Sequence, residues 1–527
     1  MFSKKPHRLL SDSLKYSTLS SPDKVAVIVN EMSYTYQQLL EASQRLAVSL
    51  LTSGIKRNDR VVLYMDNTWA CVVSIYAVQL CGAAFVVVNP QIKTKKLLYI
   101  LKDSAATALI SESTLQKIFL PALSETTNLK AVICSGELKA NDEPSSVLLS
   151  FETIVSQPAD LDMLENEQPI TLDLAALIYT SGSTGDPKGV MQSHQSMVFV
   201  MESISESLRL SNKDRNLSVL PLSYGYGLYQ LLTTIYMGAT LILERSFSYP
   251  AQIFEKFHNY QITVFAGVPT IYSMINEAHG RSPLLFPNVK RVTNAAAALP
   301  DEFIPIIQDV FPNALIYKMY GLTECQRGCY LEPELIDKKP TSVGKAIPGT
   351  EMFLLSQEGE RLEKGKKGKG ILHVRGPHVM LGYWNKPEKT KEVIKPGRFV
   401  GDRVLCTQDL FYQDEEGFFY FVGRSDDIIQ TRGEKVSPAE IENILHSMAG
   451  IKDAAVVGVQ DKLLGEFIRA FVSLKKDAVL EIHHIKKYCM ENLENYMMPK
   501  EIIILPELAK STNGKIDKKV LKRWSNK

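Results

Sequence analysis

The stretch LIYTSGSTGDPKGVMQSH, residues 177–194, changes character within a few positions. Its apolar start stops abruptly, small polar residues alternate with glycines, and a single lysine, Lys188, follows. The run LAALIYT, residues 174–180, predicts a buried strand, and the apolar spacing within residues 190–208 predicts a helix. The segment between them is therefore predicted to be a strand-to-helix turn.

The composition of this turn suits a chain of phosphates. Glycines permit tight curvature and close approach of backbone N–H groups, hydroxyls add donors, and a lysine adds positive charge. The residues concerned are Thr180, Ser181, Gly182, Ser183, Thr184, Gly185 and Lys188. Their spacing differs from GxxxxGK[ST], so the turn is not a P-loop. A flexible Ser/Gly linker is the alternative, and the apolar elements at both ends argue against it.

The chain as a whole reads as an α/β protein with more than one domain. At 527 residues it is too long for one compact core. Short β-branched runs such as KVAVIV, RVVLYM and AAFVVV alternate with amphipathic stretches, which predicts mixed or parallel sheets flanked by helices. We place a large domain at residues 1–425 and a small, mobile α+β domain at residues 426–527.

Composition also excludes several functions. The 60 Lys and Arg balance 58 Asp and Glu, so we expect no nucleic-acid partner. The longest apolar window, residues 228–243, is too short for a membrane span and predicts a buried helix running into a strand. The amino terminus lacks a secretory signal, which predicts a cytoplasmic protein. The 7 cysteines are scattered, and Cys325 and Cys329 are expected to be reduced thiols.

Other polar groups complement the turn. The motif MYGLTEC brings Tyr320, Thr323 and Glu324 close in sequence, and these can stack on a base, contact a phosphate and bind Mg²⁺. Asp409 and Arg424 can bind ribose hydroxyls and phosphate. The alternative for each motif is an ordinary solvated loop.

Five motifs follow one another along the chain, in the order YTSGSTGDPKG, YGLTE, GYWNKPEKT, GRSDDIIQTRGEKVSPAEIE and NGKIDKK. In this order they resemble the acyl-adenylate-forming superfamily of acyl-CoA synthetases, peptide-synthetase adenylation domains and firefly luciferase. The resemblance implies that a carboxylate attacks the α-phosphate of MgATP, giving an acyl-adenylate and pyrophosphate. A thiol then displaces AMP.

The resemblance also assigns roles to the phosphate-binding residues and to the small domain. The loop at 180–188 would bind the β- and γ-phosphates, Thr323 the α-phosphate and Glu324 the Mg²⁺. Lys515, a residue that could otherwise be a solvated lysine of a basic tail, would bridge the carboxylate and the α-phosphate during adenylation. Asp426 would be the hinge about which the small domain rotates between the two steps.

The nucleoside would be bound by three residues of the large domain. By resemblance Tyr320 flanks the adenine, while Asp409 and Arg424 bind the ribose. Where this pattern usually has Gly-Gly, between the adenine and acyl pockets, the chain has Ala295 and Ala296, and the added methyl groups are expected to narrow this wall.

Two further departures from the pattern affect the acyl pocket and the ribose site. The usual Phe-His gate is replaced by Ser223 and Tyr224, and Gln408 replaces the glycine of a Thr-Gly-Asp motif, where we expect its side chain to point to solvent. The predicted acyl pocket is formed by Tyr224, Gly225, Gly267, Asn294 and Ala295.

The acid and the acceptor thiol stay open at the level of sequence. Gly225 stands where amino-acid-activating domains usually place an aspartate, which weakens an ordinary α-amino acid. Proline, an aryl acid or a medium acyl chain is compatible with the pocket. The acceptor is free CoA, which we favour, or a separate carrier protein loaded by a stand-alone adenylation enzyme.

Two functions outside this class make different predictions about the residues. A non-catalytic nucleotide sensor predicts loss of Lys188, Glu324, Asp409 or Lys515, and the chain retains all four. A luciferase-like oxidase uses the same adenylate, but nothing in the sequence identifies an oxygen-reactive substrate.

Overall fold

A computed structural model describes residues 6–126, 128–137, 148–165, 168–180, 187–297, 299–356, 358–363, 365–424, 427, 429–431, 434–461, 465–476, 478–510 and 516–524. Several residues singled out from the sequence lie outside these ranges, namely Ser181, Gly182, Ser183, Thr184, Gly185, Asp426 and Lys515.

Up to residue 424 the described chain alternates strands and helices. In chain order the strands are β1 (Val25–Val29), β2 (Met32–Thr35), β3 (Arg60–Tyr64), β4 (Ala84–Val88), β5 (Ala108–Glu112), β6 (Ala131–Ser135), β7 (Leu148–Ser150), β8 (Leu174–Thr180), β9 (Lys188–Ser193), β10 (Arg215–Ser218), β11 (Thr240–Leu243), β12 (Val264–Gly267), β13 (Arg291–Asn294), β14 (Leu315–Tyr320), β15 (Cys329–Tyr330), β16 (Lys345–Ala346), β17 (Glu351–Leu355), β18 (Gly368–Arg375), β19 (Gly382–Tyr383), β20 (Ile394–Pro396), β21 (Arg403–Gln413) and β22 (Phe419–Arg424). The helices are α1 (Leu10–Ser20), α2 (Tyr36–Thr52), α3 (Trp69–Leu80), α4 (Thr94–Asp103), α5 (Gln116–Leu123), α6 (Phe151–Ser156), α7 (His194–Ser207), α8 (Gly225–Tyr236), α9 (Pro250–Asn259), α10 (Pro269–Arg281), α11 (Phe303–Val310) and α12 (Pro387–Val393).

These strands form three sheets. A nine-stranded sheet has the order β16-β15-β14-β13-β12-β10-β11-β1-β2, and an eight-stranded sheet has the order β19-β9-β8-β4-β3-β5-β6-β7. The central strands of both are parallel. A third, antiparallel sheet has the order β17-β18-β21-β20, with β22 paired to β21. The predicted α/β class with mixed and parallel sheets is confirmed.

The two large sheets share one apolar core. Helix α3 is apolar on all sides, and its residues from Ala70 to Leu80 are buried. It packs on α2, whose Thr35 N-cap accepts a hydrogen bond from the Gln38 backbone N–H at 3.2 Å. The same cluster of buried side chains includes residues of α7 and α8, so these helices fix the loops before them relative to both sheets.

The predicted strand-to-helix turn after residue 180 is wrong, because the chain forms a second strand first. β9 pairs antiparallel with β8, bringing Lys188 opposite Thr180, and the helix begins only at His194. The Ser193 side chain caps this helix by accepting a hydrogen bond from the Ser196 backbone N–H at 3.2 Å. The two ends of the loop are therefore tied together by a β-ladder. By contrast, residues 228–243 do form a helix end followed by a strand, as predicted.

The carboxyl-terminal part builds its own sheet. Its elements are β23 (Ile429–Thr431), β24 (Glu434–Val436), β25 (Ile451–Asp461), β26 (Gly465–Leu474), β27 (Glu501–Ile504), α13 (Pro438–Ser447), α14 (Ile482–Asn492) and α15 (Lys518–Trp524). The sheet order is β24-β23-β26-β25, with β27 paired to β26, and a separate apolar cluster fills the space under it. The Ser437 hydroxyl donates to the Val422 carbonyl, and Lys522 pairs with Asp427 at 3.2 Å. The boundary at residues 425 and 426 stays a prediction.

Across the described ranges, no helix is both long enough and apolar enough to cross a bilayer.

Two positions that usually hold glycine in the family pattern have left-handed backbone here. Ala296 has φ of +72° and Gln408 has φ of +60°. The Gln408 side chain is exposed, as predicted. A residue with a Cβ in this region carries about 1 kcal/mol of strain that glycine avoids.

We therefore expect Gln408→Gly to raise the thermal unfolding midpoint by about 1 °C, because relief of strain exceeds the entropy cost of glycine. Differential scanning calorimetry measures this shift. Gln408→Ala is the control, since it keeps the Cβ and should not raise the midpoint. An equal rise for both variants would contradict the strain explanation.

Candidate functional site

One end of the predicted phosphate-binding loop, at Lys188, lies over Tyr383. Thr180 and Lys188 face each other across the β8–β9 ladder, and β19 pairs with the other edge of β9. Tyr383 of β19 thereby places its ring under the lysine, with Lys188 Nζ 4.5 Å from the ring centroid. Such a cation–π contact orients the ammonium group without neutralising it.

A polar network holds the base of this hairpin. The Tyr179 hydroxyl donates to Asp103 Oδ2 at 2.6 Å, and the Tyr99 hydroxyl donates to the Pro187 carbonyl at 3.2 Å. The indole N–H of Trp384 donates to the Asp103 carbonyl at 2.8 Å. Residues on both sides of the loop are therefore fixed to the end of α4.

Glu324 reaches the same place from the nine-stranded sheet. It lies in the turn after β14, and its Oε1 accepts a 2.7 Å hydrogen bond from the Tyr383 hydroxyl. Burial and the neighbouring Glu324 carboxylate raise the pKa of Tyr383, so this phenol remains a donor at neutral pH. Burial lowers the pKa of Lys188, and the nearby Glu324 carboxylate opposes that shift.

A second cluster joins the nine-stranded sheet to the antiparallel sheet. The Tyr320 hydroxyl donates to Asp409 Oδ2 at 2.6 Å, and Arg424 Nε lies 3.2 Å from Asp409 Oδ1. Asp409 and Arg424 are directly opposite each other on β21 and β22, which sets this ion pair. Asp409 is only 1% exposed, whereas Arg424 is partly open to solvent. Burial and the Asp409 charge raise the pKa of Tyr320.

The two clusters converge. Lys188 interacts electrostatically with both Glu324 and Arg424, so the residues predicted to bind phosphate, metal and ribose face one region. The Thr323 carbonyl accepts 3.0 Å hydrogen bonds from the side chains of Gln192 and Gln326, and the bond from Gln192 fixes the turn to the end of β9.

The predicted pocket residues line the carboxyl-terminal edge of the nine-stranded sheet. Gly267 and Asn294 are register partners at the ends of β12 and β13, with the buried Ala295 and the exposed Ala296 next in the chain. The Asn294 amide nitrogen is buried without a hydrogen-bond acceptor among the described residues. An unsatisfied buried donor at this edge is available to a ligand.

The start of α8 forms the opposite wall. Tyr224 precedes the helix and its hydroxyl accepts a 3.0 Å hydrogen bond from the Asn89 amide. A Cβ on Gly225 would lie 2.4 Å from Gln326 Oε1, so an aspartate here would have to displace that side chain. The expectation that Gly225 disfavours an α-amino acid substrate stays a prediction.

Sequence reasoning missed two residues that the structure brings forward. Tyr383 lies in the quoted motif GYWNKPEKT, but only its contacts with Lys188 and Glu324 reveal its position. Arg327 is 5% exposed near the pocket, and its signal in the sequence was a lone charge in the run CQRGCY. Cys325 and Cys329 are buried thiols without a disulfide, and burial raises the pKa of Cys325 to about 12.

Comparison with known proteins identifies the family of the chain. Residues 15–384 match the AMP-binding enzyme family, and residues 440–515 match the AMP-binding enzyme C-terminal domain. A long-chain-fatty-acid–CoA ligase of Bacillus subtilis (strain 168) is 30% identical, with 97% of this chain and 93% of that protein covered.

Solved structures agree across almost the whole chain. A benzoate CoA ligase from Burkholderia xenovorans LB400 has a TM-score of 0.85 at 26% identity, with 98% of this chain and 99% of that chain covered. An o-succinylbenzoate CoA synthetase from Bacillus subtilis, in complex with its acyl-adenylate intermediate, has a TM-score of 0.82 at 25% identity, with 97% of each chain covered. The predicted enzyme class, an AMP-forming acid–thiol ligase, is confirmed, and the chain belongs to the AMP-binding enzyme family.

Proposed function

We propose that this protein is an ATP-dependent carboxylic acid ligase that forms an acyl-adenylate and passes the acyl group to the thiol of CoA. The observation that carries the proposal is the convergence of Lys188, Glu324, Asp409 and Arg424 from three sheets on one region. This set pairs cations for a triphosphate with a carboxylate for a metal and a buried acid for ribose hydroxyls.

In the first step a carboxylate oxygen of the acid attacks the α-phosphorus of ATP, and the bond to pyrophosphate breaks. The two anions repel each other, so the protein must supply positive charge and hold them in line. Lys188, held over the Tyr383 ring, would supply positive charge at the β- and γ-phosphates. We assign Thr323 to the α-phosphate. Tyr320, fixed by Asp409, would lie against the adenine, beside Ala296.

The donor set near Glu324 suits Mg²⁺. No group of three or more His, Cys, Asp or Glu side chains within the described ranges could hold a metal by itself. Mg²⁺ bound to nucleotides usually takes one or two carboxylates and completes its shell with phosphate oxygens and water. Glu324, oriented by the Tyr383 hydroxyl at 2.7 Å, would hold the ion. Bound Mg²⁺ would neutralise phosphate charge.

The second step belongs to the carboxyl-terminal part. The thiol sulfur attacks the acyl carbon, and AMP leaves with the electron pair of the broken bond. We assign Lys515 to the adenylation step, and rotation about Asp426 would withdraw it before the thiol enters. Lys510, the last described residue before Lys515, forms an ion pair with Asp453 at 3.2 Å.

CoA is the proposed acceptor, because the relative named above is a CoA ligase and its similarity to this chain covers nearly the full length of both proteins. A separate carrier protein is the alternative acceptor from the sequence. The acid is a small-molecule carboxylic acid, and an aryl acid, a medium acyl chain and proline stay the alternatives from the sequence.

Pyrophosphate release across a panel of fatty, aryl, dicarboxylic and amino acids tests the proposal. Release that depends on the acid, together with AMP release that rises with CoA, is the expected result. Adenylation that is indifferent to CoA would contradict CoA as the acceptor, and absence of release with every acid would contradict the ligase assignment.

Lys515→Ala should lower the adenylation rate by about 100-fold or more, because a charge that stabilises the transition state is removed. Thioester formation from supplied acyl-adenylate should persist. Stopped-flow measurement of each half-reaction separates the two effects. Lys366→Ala, which removes an exposed lysine paired with Glu363, is the control. Equal loss in both half-reactions would refute the assigned role.

Tyr383→Phe should slow adenylation by about tenfold, because it removes a hydrogen bond to the Glu324 carboxylate but keeps the ring under Lys188. The Mg²⁺ concentration that gives half-maximal pyrophosphate release should rise. Tyr330→Phe removes a similar phenol–carboxylate bond, to Glu332 at 2.6 Å on the surface, and should change neither quantity. An unchanged Mg²⁺ dependence in Tyr383→Phe would separate Tyr383 from the metal site.

A further inference from the structure

Arg327 is a buried cation with no anionic side chain paired to it among the residues that the structure describes. Its side chain is 5% exposed, and its one described hydrogen bond runs from Nη1 to the sulfur of Met319. A thioether is a weak acceptor. None of the ion pairs formed within the described ranges includes Arg327. Burial lowers the pKa of Arg327 to about 10, which still leaves the guanidinium charged at neutral pH.

The groups around this cation are neutral. Arg327 interacts with the phenols of Tyr226 and Tyr229 on α8 and with the thiol of Cys329. Burial raises the pKa of each of these groups, so none of them supplies a negative charge at neutral pH. An uncompensated charge in such surroundings is strongly destabilising, and buried arginines are ordinarily paired.

The neighbours of Arg327 border the predicted acyl pocket. The Gln326 side chain contacts Gly225 at the start of α8, and the Tyr226 hydroxyl donates to the Thr293 carbonyl at 2.9 Å, one residue before Asn294. Asn294 Nδ2 and Ser223 Oγ are buried polar atoms without a described partner on these same walls. The pocket therefore combines one buried cation with two unsatisfied polar groups.

We propose that Arg327 binds a second carboxylate on the acid substrate, so that the protein acts on dicarboxylic acids. One carboxylate would be adenylated, and the distal one would accept two parallel hydrogen bonds from the guanidinium. The same cation repels a substrate ammonium group, in agreement with the absence of an aspartate at Gly225. This inference rests on the proposed ligase function.

Matched pairs of acids test this specificity. Succinate with butyrate, glutarate with valerate, and adipate with hexanoate differ in the second carboxylate, and kcat/KM is measured by pyrophosphate release. The wild-type protein should prefer one dicarboxylic acid over its partner. Arg327→Met should lower kcat/KM for that acid by about 100-fold and leave the monocarboxylic partner unchanged or improved. Arg327→Lys should recover part of the loss, because it keeps the charge but not the fork.

A stability measurement separates this role from a structural one. Without substrate, Arg327→Met should raise the thermal unfolding midpoint, since an unpaired buried charge is replaced by an apolar side chain. The preferred dicarboxylic acid with ATP should stabilise the wild type but not the variant. Arg209→Met removes an exposed arginine paired with Glu334 at 2.7 Å and serves as the control, which should keep the wild-type acid preference.

The outcomes are distinguishable. Pyrophosphate release with monocarboxylic acids alone would overturn the role of Arg327 and leave the ligase function standing. A lower unfolding midpoint for Arg327→Met with an unchanged acid preference would also overturn it, by showing that the arginine stabilises the fold. Absence of release with every acid would overturn the ligase function, and the specificity inference would fall with it.

Discussion

Tyr320 and Asp409 belong to different sheets, and the 2.6 Å hydrogen bond between them joins the edge of the nine-stranded sheet to the antiparallel sheet. Asp409 is almost completely buried, so it depends on this phenol and on Arg424 to offset the loss of solvation. The geometry of the site follows from this constraint, because the turn that carries Glu324 starts directly after Tyr320. Asp409, proposed to bind the ribose, and Glu324, proposed to bind Mg²⁺, are thereby held in fixed relation.

The eight-stranded sheet contributes the positive charge of Lys188, which a different set of contacts holds in place. The β8–β9 ladder closes the phosphate loop at its base, and Tyr383 of β19 connects this hairpin to Glu324. One side chain therefore contacts both the lysine and the carboxylate. A ligand that carries both phosphate and Mg²⁺ would require these two charges to be close but not paired directly, and the intervening ring provides that spacing.

The acyl side of the site is chemically distinct from the nucleotide side. The predicted nucleotide side has paired charges. On the predicted acyl side, within the described ranges, the buried guanidinium of Arg327 has only the Met319 sulfur as a side-chain hydrogen-bond acceptor, and the amide nitrogen of Asn294 has none. Stability alone does not favour such an arrangement, since unpaired buried polar groups cost free energy. Binding sites commonly keep groups of this kind, because the ligand completes them.

The sequence by itself determined the α/β class with mixed and parallel sheets, and it named the residues that we propose for the nucleotide site. Hydrophobic periodicity and short motifs are local, so they can be read without coordinates. The sequence-based prediction was wrong after Thr180, where residues 190–193 were assigned to the helix but belong to β9. A short strand and the first turn of a helix can have the same apolar spacing, and only the pairing of β9 with β8 distinguishes them here. The same limit hid Tyr383 and Arg327. Their significance depends on which side chains lie beside them and on the absence of a described anion near Arg327, and those are properties of long-range packing that only the tertiary structure decides.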